Sequence, residues 1–283
     1  MVIPSKTRED TMTLMQVLKR AVETAKKNVL DNLDLAAEQI GTVNPFGDKT
    51  LLLDQRAEDI IVEVLRESGM QFDIMTEEQG VIKAEGAPEF LAIVDPIDGS
   101  ANLEREIPLC SIGISVIPFS NTMTTDDVTL SIIDSIFTDE TYVATKDQGV
   151  RKNGKSVRPR EGTSIENAII SYDTKRKWEG QFAEASCRTL TSVYDMRRSA
   201  SNLLDLCWTA AGSLDAMVDL RDMLPIVHVC GTHMVLEAGG VVLDKNGSHF
   251  TVPIDMDSKM SFVAASTNEL AKEILTVFKG VTF

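Results

Sequence analysis

The sequence predicts an α/β fold built in layers. The second half alternates apolar, β-branched runs with stretches of helical period, the pattern of stacked sheets and helices. The first half opens on amphipathic helical spacing and continues into short apolar runs separated by turn residues. With 283 residues and 43% hydrophobic content, the chain has ample material for a core.

Between Lys6 and Asn28, the residues Leu14, Val17, Leu18, Ala21, Val22 and Ala25 recur at helical spacing. The pattern continues or restarts from Leu33 to Ile40. Gly41 to Thr50 reads as a loop, and a second helix then runs to about Ser68 with Ile60, Ile61, Val64 and Leu65 as its buried stripe. Phe72 to Met75 reads as a short strand, and Phe90 to Val94 as a buried one. Leu109 to Val116, Thr129 to Asp134 and Thr141 to Ala144 are further strands. Asn153-Gly154 marks a hairpin. The polar stretch Val157 to Ser164 is the expected boundary between an N-terminal domain, 1–158, and a C-terminal one, 159–283. Beyond it, strands are expected at Ala168–Ser171, Ser192–Met196, Asp215–Leu220, Val241–Leu243 and Phe262–Ala265. Helices are expected at Trp178–Cys187, Leu203–Ala211, Val227–Ala238 and Leu270–Phe278.

A formal charge of −15 argues against binding to a nucleic-acid backbone or an anionic membrane. An acidic protein accepts a phosphate group when metal ions neutralise the site. The sequence has no apolar run long enough for a membrane span, and Met1 to Lys6 lacks the apolar core of a signal peptide. Cys110, Cys187, Cys207 and Cys230 form no CxxC pair and read as thiols of a reducing, cytoplasmic setting.

The most informative stretch is Asp95-Pro96-Ile97-Asp98-Gly99-Ser100-Ala101-Asn102. Two carboxylates follow a buried strand at its carboxyl end, where α/β proteins build their sites. Pro96 stiffens the backbone and Gly99 permits conformations that other residues resist. Two acids on a stiff turn suit a hard cation, although Asp, Pro and Gly also make ordinary acidic turns. The eight residues resemble the Asp-Pro-x-Asp-Gly-Thr/Ser-x-Asn signature of the inositol monophosphatase and fructose-1,6-bisphosphatase superfamily. Companion segments occur in the right order from about Gly47 to Val242.

The resemblance implies a layered αβαβα sandwich of the sugar-phosphatase type and a metal-dependent phosphomonoesterase. Asp54, otherwise a residue favoured by a helix N-terminus, is implied to pair with Ser100 and activate water. Glu78, Asp95, Asp98 and the Ile97 carbonyl are implied to hold two or three Mg²⁺. Glu77 is then a nearby acid, although spacing alone does not choose between the two glutamates. Asp48, Lys49 and Thr50 resemble a loop near a third metal position. Asp98, Gly99, Ser100, Ser201, Asp219 and Arg221 are implied substrate contacts. Ser201 also reads as a plain helix N-cap, and Asp219 as a strand-end cap. Arg221 is suited to a second anionic group.

The chain departs from the family at its second signature, where a metal-binding Asp precedes Glu237-Ala238-Gly239-Gly240. Strict counting places Val227 there, and a one-residue slip places His228. Imidazole is a poor Mg²⁺ ligand and suits Zn²⁺, Mn²⁺ or Fe²⁺. Three readings follow: a softer metal on His228, a weakened second Mg²⁺ site, or lost activity. Weakened Mg²⁺ binding is favoured because the other acids are intact. Ala200 likewise stands where the family has Gly.

The resemblance points to inositol 1-phosphate, fructose 1,6-bisphosphate or a related sugar phosphate as substrate. A 3′-phosphoadenosine-type phosphatase and a non-catalytic metal- or phosphometabolite-binding member are the alternatives. A homodimer is expected from the family alone.

Overall fold

A computed structural model describes residues 12–47, 49–175, 177 and 179–280. Helix α1 (Leu14–Asp31) starts at a capping box. The Thr13 hydroxyl accepts from the Gln16 amide, and the Gln16 side chain accepts from the Thr13 amide. The expected helical continuation is instead one short turn, Leu33–Leu35, followed by strand β1 (Gln39–Val43). β-Branched Ile40, Thr42 and Val43 favour the strand, which pairs antiparallel with β2 (Lys49–Leu51), so the expected loop is largely a ribbon. Helix α2 (Leu52–Glu67) buries Leu53, Ala57, Ile61 and Leu65 on one stripe.

The next strands are β3 (Phe72–Thr76), β4 (Gly80–Ile82) and β5 (Phe90–Asp98). A single-turn helix, α3 (Ser100–Leu103), follows β5. Then come β6 (Ser111–Pro118), β7 (Leu130–Ser135), β8 (Thr141–Thr145), β9 (Gly149–Lys152) and β10 (Lys155–Val157). Strands β3 to β10 form an eight-stranded sheet in the order β10-β9-β8-β7-β6-β5-β3-β4, with only the β3–β5 pair parallel.

The remaining chain is β11 (Ile169–Tyr172), α4 (Gly180–Ser192), β12 (Asp195–Met196), α5 (Asn202–Ala210), β13 (Ala216–Pro225), α6 (Val229–Ala238), β14 (Val241–Leu243), β15 (Lys259–Ala265) and α7 (Asn268–Lys279). Its strands form a five-stranded sheet ordered β12-β11-β13-β15-β14. The strand expected from Ser192 shrinks to two residues because α4 runs on to Ser192. Trp178, the expected start of that helix, lies outside the described residues.

Side-chain alternation explains the layers. On β5, Ala92 and Val94 pack with α1 and α2, while Leu91 and Ile93 face α5 and α6. On β13, Met217 and Leu224 join that central helical layer, while Ala216, Val218 and Leu220 meet α4 and α7. Strands buried on both faces need continuous apolar runs. The order is α1/α2, eight strands, α5/α6, five strands, α4/α7: the expected αβαβα sandwich. Close approach is built in at Gly113, where a Cβ would lie 2.4 Å from Leu203 Cδ1 and 2.8 Å from Cys230 Sγ. No helix among the described residues is long and apolar enough to cross a membrane.

The central layer also buries His233, whose Nδ1 lies 2.8 Å from the Ser131 hydroxyl. Burial, aided by Lys146, lowers its pKa to about 4. The folded ring therefore binds fewer protons than the unfolded one. Its contribution is intact above the unfolded pKa of about 6.5 and is lost as pH falls towards 4, by up to about 3 kcal/mol. His233→Gln should flatten this part of the stability–pH curve. Urea midpoints at pH 7 and 5 for both proteins check it, and an equal drop in both contradicts it.

Candidate active site

The site forms at the carboxyl end of β5. The β5–β6 register shifts between Asp95, opposite Gly113, and Asp98, opposite Ser111, and both acids line the cavity that Asp54 of α2 and Asn202 of α5 also border. Gly99 ends the strand at φ +97°, and a Cβ there would lie 3.0 Å from the Leu109 carbonyl. Asn102 secures the turn by donating from Nδ2 to the carbonyls of Leu109 and Ser199, both at 2.7 Å.

Asp98 is held on one side only. Its Oδ2 accepts from the Ser201 hydroxyl and the Leu203 amide, each at 2.6 Å, leaving Oδ1 3.5 Å from His228 Nε2. These donors and the neighbouring ring outweigh burial and lower the Asp98 pKa. Asp95 is fully buried, and its Oδ2 also lies 3.5 Å from His228 Nε2. Neither of its oxygens has a hydrogen-bond donor among the described residues; the group alongside is the Glu77 carboxyl. Burial raises the Asp95 pKa far above the usual range, and Glu77 and Asp98 add to this. Burial likewise pushes Glu77 to about 7, against the pull of His228. Asp95, Asp98 and His228 each offer a ligand atom, all within 4.8 Å of one another. A buried carboxylate without a donor, beside a second carboxylate with one oxygen outside its donors' reach and an imidazole, is what a divalent cation would complete, so the residues present fit one.

The two glutamates take different places from those expected. Glu77 faces Asp95, Asp98 and His228. Glu78 accepts the Thr50 hydroxyl at 2.5 Å, and its own amide donates to Glu58 at 2.9 Å. Both glutamates line the cavity, Glu77 interacting with the Asp95–Asp98–His228 group and Glu78 with Asp54 and Thr50. Thr50 is thus tied to Glu78, Lys49 lines the cavity, and Asp48 lies outside the described residues. Ser100 Oγ lies 3.2 Å from Asp54 Oδ1 and donates to it or to the Ile97 carbonyl at 3.0 Å. Burial, reinforced by Glu78 and Glu77, raises the Asp54 pKa.

Val227 is wholly buried among apolar side chains of the central layer, whereas His228 faces the carboxylates. A short 3₁₀ turn, Ile226–His228, precedes α6 and carries both residues.

Two expected substrate contacts occupy other positions. Ser201 is fully buried; its hydroxyl caps α5 through the Leu204 amide and holds Asp98. Asp219 is also fully buried and clamps Arg221, accepting from Nε at 2.9 Å and Nη2 at 2.5 Å. Neither lines the cavity, a cleft of about 670 Å³ whose walls include Asp54, Asp95, Ser100, Arg198, Arg221 and His228. Arg198 and Lys175, not foreseen from the sequence, line it together with Arg221. Asp173 braces both arginines, at 2.6 Å and 2.7 Å, while Arg198 Nη1 has no partner among the described residues. No spacing pattern links these residues; β11, β13 and the approach to α5 bring them together. Ala200 has φ +65°, a left-handed conformation that favours glycine.

Such a site in such a sandwich belongs to the sugar-phosphatase class of phosphoric monoester hydrolases. The model of the inositol monophosphatase family matches residues 7–281, and the chain belongs to that family. It is 32% identical over 255 residues to the fructose-1,6-bisphosphatase/inositol-1-monophosphatase of Methanothermobacter thermautotrophicus, covering 87% of this chain and 89% of that one. The fructose-1,6-bisphosphatase of Pyrococcus furiosus is 29% identical, covering 84% and 86%. A solved inositol monophosphatase–fructose 1,6-bisphosphatase superposes with TM-score 0.80 at 25% identity, covering 94% of this chain and all of that one. The extragenic suppressor protein of Bartonella henselae shares the fold, with TM-score 0.82 over 95% and 99% of the two chains at 24% identity.

Proposed function

We propose that the chain hydrolyses small sugar or polyol phosphates, with inositol 1-phosphate and fructose 1,6-bisphosphate as the leading candidates. The observation that carries this is Asp95: a fully buried carboxylate without a donor among the described residues, set between Glu77, Asp98 and His228 and close to the Asp54–Ser100 pair. Glu77, in place of Glu78, joins Asp95, the Ile97 carbonyl and Asp98 as the ligand set for Mg²⁺ or a similar cation. When bound, such ions offset the charge of the phosphate and of the transition state and help activate water.

The chain's own groups divide the remaining work. Ser100 orients water, and Asp54 accepts the proton through or beside it. Gly99 and Ser100 are the proposed phosphate contacts. Arg221, immobilised by Asp219, and Arg198, with an uncommitted Nη1, offer charge to a second anionic group, as a bisphosphate would carry. Ser100→Ala should lower kcat by roughly a hundredfold to ten-thousandfold without raising the cation requirement, because it removes a positioning hydroxyl and no ligand. An unchanged kcat would remove the Asp54–Ser100 pair from the mechanism.

The test of the reading is phosphate release from inositol 1-phosphate, fructose 1,6-bisphosphate and 3′-phosphoadenosine nucleotides, with Mg²⁺, with Mn²⁺ and with chelator. Cation-dependent release from the first two supports it. Release from the nucleotides alone transfers the assignment to the other phosphatase class, and no release with any cation supports a non-catalytic member. A cytoplasmic homodimer is the proposed form of the protein.

A further inference from the structure

His228 is the chain's departure from its family, and its geometry is that of a ligand. Its Nδ1 lies 3.1 Å from the Pro225 carbonyl. A carbonyl only accepts, so Nδ1 carries the hydrogen, and once the ring gives up any proton on Nε2 to a binding cation its lone pair there is free to ligate. A metal-binding histidine is held this way, its second nitrogen donating to a backbone carbonyl. Nε2 then faces Asp95 Oδ2 and Asp98 Oδ1, both at 3.5 Å. These separations exceed the roughly 2.7–2.9 Å of a charge-assisted hydrogen bond. They suit two ligands of one ion: bonds of about 2.1 Å at a tetrahedral angle hold ligand atoms about 3.4 Å apart. The remaining atoms are prepared too. Asp98 has its other oxygen occupied by Ser201 and Leu203, and Asp95 has no donor among the described residues.

We propose that Asp95, Asp98 and His228 form a mixed imidazole–carboxylate site selective for a borderline transition cation such as Mn²⁺, Fe²⁺, Co²⁺ or Zn²⁺, beside a Mg²⁺-type position on Glu77, Asp95 and the Ile97 carbonyl. Mg²⁺ prefers oxygen ligands, whereas imidazole shifts affinity towards the later divalent ions. This replaces the expectation of a merely weakened Mg²⁺ site: the ring is oriented as a donor and not turned away. The inference rests on the phosphatase reading insofar as the same acids hold its cations.

The test reads ligation directly. The protein loaded with one equivalent of Co²⁺ should show, in its proton NMR spectrum, a strongly shifted, solvent-exchangeable signal from His228 Nδ1–H. The chain has three histidines. His233 is tied to Ser131 and His249 to Asp126, so His249→Ala should keep the signal and His228→Asp should lose it. The ratio of Mn²⁺ to Mg²⁺ affinity, from competition binding, should fall about tenfold or more in His228→Asp. His228→Asn serves if the Asp variant does not fold, and the wild-type spectrum stands without either. Absence of the exchangeable signal in the wild type, or an unchanged affinity ratio in the variants, overturns the proposal. Mg²⁺-dependent phosphate release alongside that result leaves the phosphatase reading intact. A His228-dependent Co²⁺ site in a chain that releases no phosphate does the converse.

Discussion

Asp95→Asn is expected to lower kcat by about a thousandfold at saturating Mg²⁺, since cations at such sites supply several kcal/mol of transition-state stabilisation. The change is nearly isosteric. It removes the charge that the Glu77- and Asp98-facing ions would share, so both cation positions should weaken together. The fold should not suffer. In the absence of cations, Asp95 is a fully buried acid pressed against Glu77 and Asp98, and burial already drives it towards its protonated form. The cation-free variant should therefore melt no lower than the cation-free parent. Retention of more than about a tenth of parental activity would remove Asp95 from the centre of the mechanism.

The second large effect separates two adjacent residues. Glu77→Gln should cost at least about tenfold more in kcat/KM than Glu78→Gln, and should raise the cation concentration needed for half-maximal rate. Glu77 faces Asp95, Asp98 and His228, whereas Glu78 is engaged by the Thr50 hydroxyl. Cation titrations of both variants decide the matter. The opposite ranking would return the ligand role to Glu78, as the motif alone suggested.

Much of this was legible in the sequence because it is local. The run Phe90–Val94 must be a strand buried on both faces, and Asp95 to Asn102 carries its geometry in eight consecutive residues. Asp54 and Ser100, far apart in sequence, could be paired through the family pattern, and their side chains do meet. What escaped depends on side-chain direction. Adjacent glutamates look alike in sequence, and only the turn after β3 determines which one enters the cluster. Val227 and His228 differ by one residue, about 120° around the 3₁₀ turn before α6, which buries Val227 in the central layer and brings His228 to the carboxylates. Ser201 and Asp219 carry the right chemistry but are consumed by Asp98 and Arg221. Arg198, Lys175 and Asp173 come from separate elements and leave no spacing signal. The β1–β2 ribbon was hidden because its residues are mostly exposed and lack a core-facing stripe.

The cation site is proposed among Glu77, Asp95, Asp98 and His228. Its most direct test is anomalous scattering from crystals grown with Mn²⁺ and inorganic phosphate. The expected result is a peak bonded to Asp95, Asp98 and His228, a second bonded to Asp95 and Glu77, and phosphate in contact with both. Ordered Mn²⁺ elsewhere with these carboxylates bare, in a protein whose phosphatase activity still depends on Mn²⁺, would contradict it.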